Sequence, residues 1–327
     1  MHVLITGGAG FIGSHIARFH LDQGDKVHVV DDLSTGRLEN IKEMMKSSNF
    51  IFDEADILVW DGLEKAAGWA DRIYHMAAVV GVFRVLKEPI AVLATNIAGC
   101  ERLLRAMHKS RWNTKLIIAS TSEVYGNRPG NEALHEEMEL HVSPGFNTRW
   151  NYSISKLADE AMGLSYARER GMDITVVRFF NVVGPNQTGK YGMVVPRFVK
   201  QAVANEPITV FGDGSQMRAF VDVRDVVRIL DMLANNPQSR AQIVNVGSRR
   251  EITIKALAEL VKEHAKSSSK IDNISYENAY GGVDFEEIYH RKPELSKVKR
   301  LTDYTIEWSL EDTIDDLIAR ESANKGK

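Results

Sequence analysis

The opening segment, HVLITGGAGFIGSH, constrains the fold more than any other stretch. Five residues suited to a buried strand, 2–6, run straight into glycines and then into an apolar-periodic stretch from Phe11 to about Leu21. Gly7, Gly10 and Gly13 recur at G-x-x-G-x-x-G spacing, directly after the strand and at the start of the helix. Glycines there permit a tight turn and close backbone approach to a pyrophosphate, and the helix N-terminus supplies N–H donors.

The rest of the chain repeats the alternation. KVHVVD (26–31), RIYHM (72–76), KLIIAS (115–120), DITVVRF (173–179) and QIVNVG (242–247) read as short apolar strands. Helical patterns run from about Pro89 to His108 and from about Tyr152 to Arg170. Strands that are apolar on both faces and separated by helices imply a parallel sheet covered on both sides. The expected fold is α/β, a doubly wound parallel sheet of Rossmann type. After Phe179 the pattern turns irregular and rich in Gly and Pro, which predicts a smaller, discontinuous C-terminal lobe. The expected division is 1–179 with about 222–250 for the nucleotide domain, and 180–221 with 251–327 for the substrate lobe. The long loop 127–150 reads as a lid.

The second strand ends in Asp31-Asp32, eighteen residues after Gly13. A carboxylate there accepts hydrogen bonds from adenosine ribose hydroxyls and repels a 2′-phosphate, which selects NAD over NADP; Asp31, ending the strand, is the better placed. The 327 residues carry a formal charge of −3, so no basic excess points to nucleic acid or an anionic membrane. One cysteine, Cys100, excludes an intrachain disulfide and a Cys-rich metal site and fits a reducing, cytoplasmic setting. It reads as a buried thiol. Neither a signal peptide nor a membrane-spanning run is expected. HEEMELH (135–141) lacks the H-E-x-x-H spacing of a zinc helix and reads as a solvated loop, so no metal site is expected.

Two further stretches carry chemistry. IIASTSEVYG (117–126) ends a strand in three hydroxyls and a carboxylate, which is either a polar turn or a reactive strand end. NYSISKLADE (151–160) puts Tyr152 and Lys156 four apart, on one side of a helix. An ammonium beside a tyrosine, together with the cofactor's positive ring, favours the phenolate, which then serves as base for a sugar hydroxyl as hydride leaves for NAD.

Taken together, TGGAGFIG, TSEVYG, YSISK and RFFNVVGPN resemble the extended short-chain dehydrogenase/reductase family of nucleotide-sugar epimerases, dehydratases and decarboxylases. The resemblance runs from Met1 to about Leu301. It implies an NAD-dependent enzyme acting on a nucleotide-diphosphate sugar, often as a homodimer packed through two helices per subunit. It places Thr121 or Ser122 with Tyr152 and Lys156 in the catalytic group and Asp56-Ile57 along the adenine. Phe11, Ile12, Ala77, Ala78 and Asn96 fall on the dinucleotide path, Val195 falls at the substrate, Asn181 holds the substrate diphosphate, and Arg218 and Arg291 grip it. The charge logic agrees, because a diphosphate needs guanidinium forks or backbone donors.

Glu123 separates the outcomes. Simple 4-epimerases of the family usually carry a small residue there, whereas T-D-E-V-Y-G and T-S-E-V-Y-G resemble the strand ends of sugar dehydratases and UDP-glucuronate decarboxylases. Once O4 is a ketone, the C5 proton is acidic and a C5 carboxylate leaves readily, so a carboxylate near C5 has a proton-relay use. Ser122 replaces the dehydratase Asp and is a poor general acid. GSQMRAF also resembles the decarboxylase segment. The leading expectation is decarboxylation of UDP-glucuronate. HMAAVVGVFRVLKEP and NQTGKYGMVVPRF keep a UDP-sugar 4-epimerase as the alternative, ahead of a dehydratase. A non-catalytic NAD sensor would be expected to have lost Tyr152 or Lys156, and both are present.

Overall fold

The computed structural model describes residues 1–110, 114–128, 130–141, 148–189, 192–280 and 286–325. Residues 129 and 142–147 of the expected lid therefore lie outside the described residues. The main sheet contains β1 (His2–Thr6), β2 (Lys26–Asp31), β3 (Phe50–Glu54), β4 (Arg72–His75), β5 (Lys115–Thr121) and β6 (Asp173–Phe179). Further on come the short pair β7 (Val182–Val183) and β10 (Val221–Asp222), and β8 (Ile208–Phe211), β9 (Met217–Ala219), β11 (Gln242–Val246), β12 (Glu251–Thr253) and β13 (Ile271–Ile274). Seven strands are parallel in the order β11-β6-β5-β4-β1-β2-β3. The order reverses between β1 and β4, and ligands of open α/β sheets bind beyond the strand C-termini at such a switch point.

Helices cover both faces. On one side α1 (Phe11–Asp22) packs with the later α7 (Val223–Asn235) over Val3, Ile5, Val29 and Val244. On the other, α2 (Leu63–Trp69), α4 (Pro89–Ser110) and α5 (Asn151–Glu169) cover Leu4, Ile73, Leu116 and Val176. The short α3 (Val82–Lys87) precedes α4. Burial on both faces is why these strands read as unbroken apolar runs. β3 escapes that pattern: only Phe50 of its five residues is buried, as befits an edge strand.

A separate apolar cluster joins Val183, Phe198, Val210, Leu257, Val261 and Ile314. It is built by α6 (Val194–Ala204), α8 (Ile254–His264), α11 (Leu310–Lys325) and the β8–β13 pair. The short α9 (Tyr276–Tyr280) follows β13. α10 (Ser296–Thr302) differs from expectation: Val298 and Leu301 pack under the main sheet, although they lie beyond the expected return at 250. Their two apolar side chains are too few to announce this in the sequence.

Candidate active site

A cavity of about 340 Å³ opens at the switch point. Its floor is the glycine turn, with Gly7, Gly10, Phe11, Ile12 and Gly13 lining it. Gly7 takes φ +70°, and a Cβ there would lie 2.6 Å from Ala77 N; a Cβ on Gly13 would lie 2.2 Å from Gly7 O. The cradle therefore accepts glycine alone at these points, with the twelve-residue α1 directed into it.

Asp31 and Asp32 stand at the rim. Asp31 Oδ2 accepts the Ala9 N–H at 2.9 Å and Oδ1 that of Leu33 at 2.9 Å, so this carboxylate also pins the glycine turn to the end of β2. Burial pushes Asp31 up, and the backbone donors pull it back. Asp56 and Ile57 line the far end, and Ala77 and Ala78 the middle. Asn96 does not line the cavity. Its Oδ1 accepts the Val79 N–H at 2.7 Å, and its Nδ2 donates to Val79 O at 3.3 Å and to Ser155 Oγ at 3.0 Å. It shapes the wall from one layer behind.

The hydroxyl-rich strand end has a local structural role. Thr121 Oγ1 accepts the Glu123 N–H at 3.2 Å and starts the 3-10 turn Ser122–Tyr125. Ser120, which also lines the cavity, donates to Glu160 Oε1 at 2.5 Å, and Glu160 is paired with Arg178. Thr121, Ser122 and Glu123 are left at the cavity mouth with Tyr152 and Lys156.

Tyr152 packs on Val79, Val85 and Val92. Burial pushes its phenol up to about 12; Lys156 pulls it down, and Glu123 and Asp159 add to the rise. The lowered tyrosine expected from the sequence is thus not produced by the chain's own groups, because burial and two carboxylates outweigh one ammonium. Lys156 Nζ donates to Asp159 Oδ2 at 3.0 Å. Burial alone would lower this lysine, but Asp159 and Tyr152 leave it raised.

A second cavity, of about 210 Å³, adjoins the first. Glu123, Tyr152, Asn181 and Arg291 line both. Val195 and Arg218 line the second alone. Asn181 holds φ +34° and donates from Nδ2 to Ala219 O at 3.1 Å. Arg218 is buried on β9, and its Nη2 donates to Glu287 Oε1 at 2.6 Å. Arg291 was expected beside Arg218 on a diphosphate. Both line the second cavity, and the strap after residue 286 also brings Arg291 Nη1 to 3.5 Å from Glu123 Oε1 and 3.4 Å from Ser122 Oγ, at the junction of the cavities.

Two residues escape the sequence reading. Arg149 Nη1 donates to Glu123 Oε2 at 2.7 Å and is almost fully buried. Its signal was its place three residues before Tyr152, on the turn that starts α5. Arg197 lies 3.7 Å over the Phe211 ring in the second cavity, which no local pattern shows. Glu123 thus sits between two guanidiniums. Burial would raise its carboxyl, but Arg149 and Arg291 hold it below its ordinary value. Arg291 is pushed down to about 10 by burial and by the nearby Arg218.

The NAD dependent epimerase/dehydratase family model matches residues 3–247. The chain belongs to that family. It is 34% identical over 316 residues to a UDP-N-acetyl-alpha-D-glucosaminuronate decarboxylase of Bacillus cytotoxicus, covering 95% of this chain and 96% of the relative. It is 35% identical over 299 residues to UDP-glucuronic acid decarboxylase 1 of Xenopus tropicalis, covering 91% of this chain and 67% of that one. The solved UDP-glucuronic acid 4-epimerase of Bacillus cereus, in complex with UDP-glucuronic acid and NAD, superposes with a TM-score of 0.86 at 27% identity, covering 99% of this chain and 100% of that one. As a member of this NAD-dependent family the chain presents residues that fit the cofactor: a glycine cradle that a Cβ would fill, and two carboxylates at the ribose end. Among the described residues no cluster of three or more His, Cys, Asp or Glu is arranged for a metal, and no helix is long and apolar enough to cross a membrane.

Proposed function

We propose that the protein decarboxylates a UDP-linked hexuronate, UDP-glucuronate or its 2-acetamido counterpart, through a 4-keto sugar. The convergence of Arg149 and Arg291 on Glu123 carries this reading. Arg149, Arg218 and Arg291 stand with Glu123 and Glu287 where the tyrosine's cavity meets the second one. Guanidinium N–H groups in such an array are suited to receiving a sugar C5 carboxylate. A neutral hexose offers nothing there. Similarity to two hexuronate decarboxylases supports the same choice.

Tyr152 accepts the O4 proton, with Lys156 stabilising the phenolate beneath it. NAD, held by the glycine cradle and the carboxylates of Asp31 and Asp32, would supply reversible hydride chemistry at C4 when bound. The bond from C5 to the carboxyl carbon breaks as carbon dioxide departs, and its electrons pass into the enolate conjugated with the 4-ketone. Glu123, held ionised, orients the two arginines and does not donate a proton. Arg291 is the N–H donor placed to deliver the solvent-derived proton that C5 then needs. Tyr152 gives its proton back to O4. Asn181 and Arg218 bind the diphosphate, and Val195 and Phe211 flank the base side. Residues 1–179 with 222–250 and α10 serve the cofactor, and 180–221 with the rest of 251–327 the nucleotide sugar. We assign the enzyme to the cytoplasm as a homodimer packed through α4 and α5, where Ile90 and Ile154 are exposed.

Incubation with UDP-glucuronate, UDP-N-acetylglucosaminuronate and UDP-glucose, read by mass spectrometry and proton NMR, tests the proposal. A hexuronate product lighter by carbon dioxide is expected. A product of unchanged mass with inverted C4 would make the protein an epimerase.

A further inference from the structure

Beneath the catalytic pair lies a charged group that the reaction itself does not use. Asp159 is wholly buried one turn after Lys156 on α5. Its Oδ2 accepts from Lys156 Nζ at 3.0 Å, with side-chain exposures of 0% and 1%. The Cys100 thiol of α4 lies against the same carboxylate. We propose that Asp159 is a positioning residue that keeps Lys156 an ammonium inside a dry site and, by partly cancelling that charge, sets the pH at which Tyr152 ionises.

Among the described residues, Asp159 is the carboxylate that pairs with Lys156. His75 of β4 faces Lys156 and is neutral, held down to about 3 by burial and by that ammonium. Cys100 is kept as a thiol by burial and by Asp159. Glu160, next on α5, is taken by Arg178 and Ser120. Glu123 reaches Tyr152 only through space and is clamped by Arg149 and Arg291. A lysine in this position without Asp159 would be a desolvated cation, which sheds its proton readily. With Asp159 it stays charged, but it presents less positive field to Tyr152.

Removing one negative charge lowers the pKa of every neighbour, so the sign is the same for both groups. In Asp159→Asn the coupled pair gives up its protons at lower pH, and while Lys156 keeps its charge Tyr152 ionises at lower pH. An opposite charge within about 4–6 Å shifts a pKa by roughly 1–3 units, so a shift of about one unit or more is expected for Lys156, 3.0 Å from Asp159. The inference rests on the Tyr152–Lys156 chemistry of the family and not on which sugar is bound.

The first readout therefore needs no substrate. Phenolate absorbance near 295 nm is titrated in the NAD-loaded protein, and the Tyr152→Phe curve is subtracted to isolate Tyr152. The same difference is taken in the Asp159→Asn background. The Tyr152 transition should move acidward, and Asp159→Glu should restore it. With an active substrate, both limbs of the kcat/KM profile should slide the same way. An unmoved Tyr152 transition in a folded Asp159→Asn overturns the proposal, even if activity drops uniformly. Asp159→Ser replaces the amide variant should that one not fold. If neither folds, Asp159 is a structural residue and the proposal is wrong.

Discussion

Glu123 shows how much one side chain depends on its neighbours. By sequence it is a carboxylate at a reactive strand end; in the structure it is the shared acceptor of Arg149 and Arg291. A buried ion pair adds little net stability over an apolar replacement, but removing one partner strands the other. Glu123→Gln should therefore destabilise the NAD-loaded protein by about 3 kcal/mol, and Arg149→Met by a similar amount. The double variant should lose less than the two singles combined, with a coupling of roughly 1–3 kcal/mol. Urea unfolding at fixed NAD concentration measures all four corners of the cycle. Additive losses would mean that the two side chains act independently. The pair was only half legible. TSEVYG announces Glu123, because a carboxylate after a strand is a local pattern. Arg149 becomes its partner only when the turn before α5 folds back over the end of β5, a contact 26 residues apart in the chain.

At the scale of elements, legibility follows burial. The strands apolar on both faces, β1, β2 and β6, end where the sequence pattern ends. β3, half exposed, and the short β7–β10 and β9–β12 pairs have no such run to announce them. The glycine turn was legible because its residue type is dictated by space and not by preference. Gly13 demonstrates it: an added Cβ would meet Gly7 O at 2.2 Å and Gly8 Cα at 2.8 Å, and both are backbone atoms that cannot rotate aside. Gly13→Ala must push α1 away from β1, and the N–H groups aimed at the pyrophosphate move with it. Overpacking of this kind destabilises by about 1–3 kcal/mol. The loss of NAD should be larger, on the order of 100-fold, because several charge-assisted donors leave together. The NAD retained by the purified variant and its affinity on titration check this. Near-normal affinity would show that the turn can relax without moving the helix. Asn96 carries the opposite lesson. The family resemblance placed it on the cofactor path, but it hydrogen-bonds Val79 and Ser155 and supports that path from behind.

For the molecule as a whole, the sheet ties the cofactor site to buried histidines, and these set a response to acid. His75, at the end of β4, is buried and held down to about 3, chiefly by desolvation and then by Lys156. Its Nδ1 lies 2.7 Å from Thr6 Oγ1, which in turn accepts the Ala77 N–H at 3.3 Å. His20, between Asp25 and Tyr74, is also lowered, again mainly by burial. A histidine whose folded pKa lies below its unfolded value of about 6.5 contributes its full stability above that pH. The contribution is lost as pH falls from there toward the folded value. For His75 the loss at pH 5 is about 2 kcal/mol, from 1.36 kcal/mol per unit. Tm should therefore fall by roughly 3 °C between pH 7 and pH 5, before the paired carboxylates begin to titrate. His75→Asn keeps a hydrogen-bonding side chain for the Thr6 hydroxyl but has nothing to protonate, so its Tm should change much less over that range. NAD affinity should follow the same course, since a charged ring at His75 pushes on Thr6 and through it on Ala77, which lines the cofactor cavity. An equal pH slope in His75→Asn and the parent would move the acid response elsewhere, with His20 the next residue to replace.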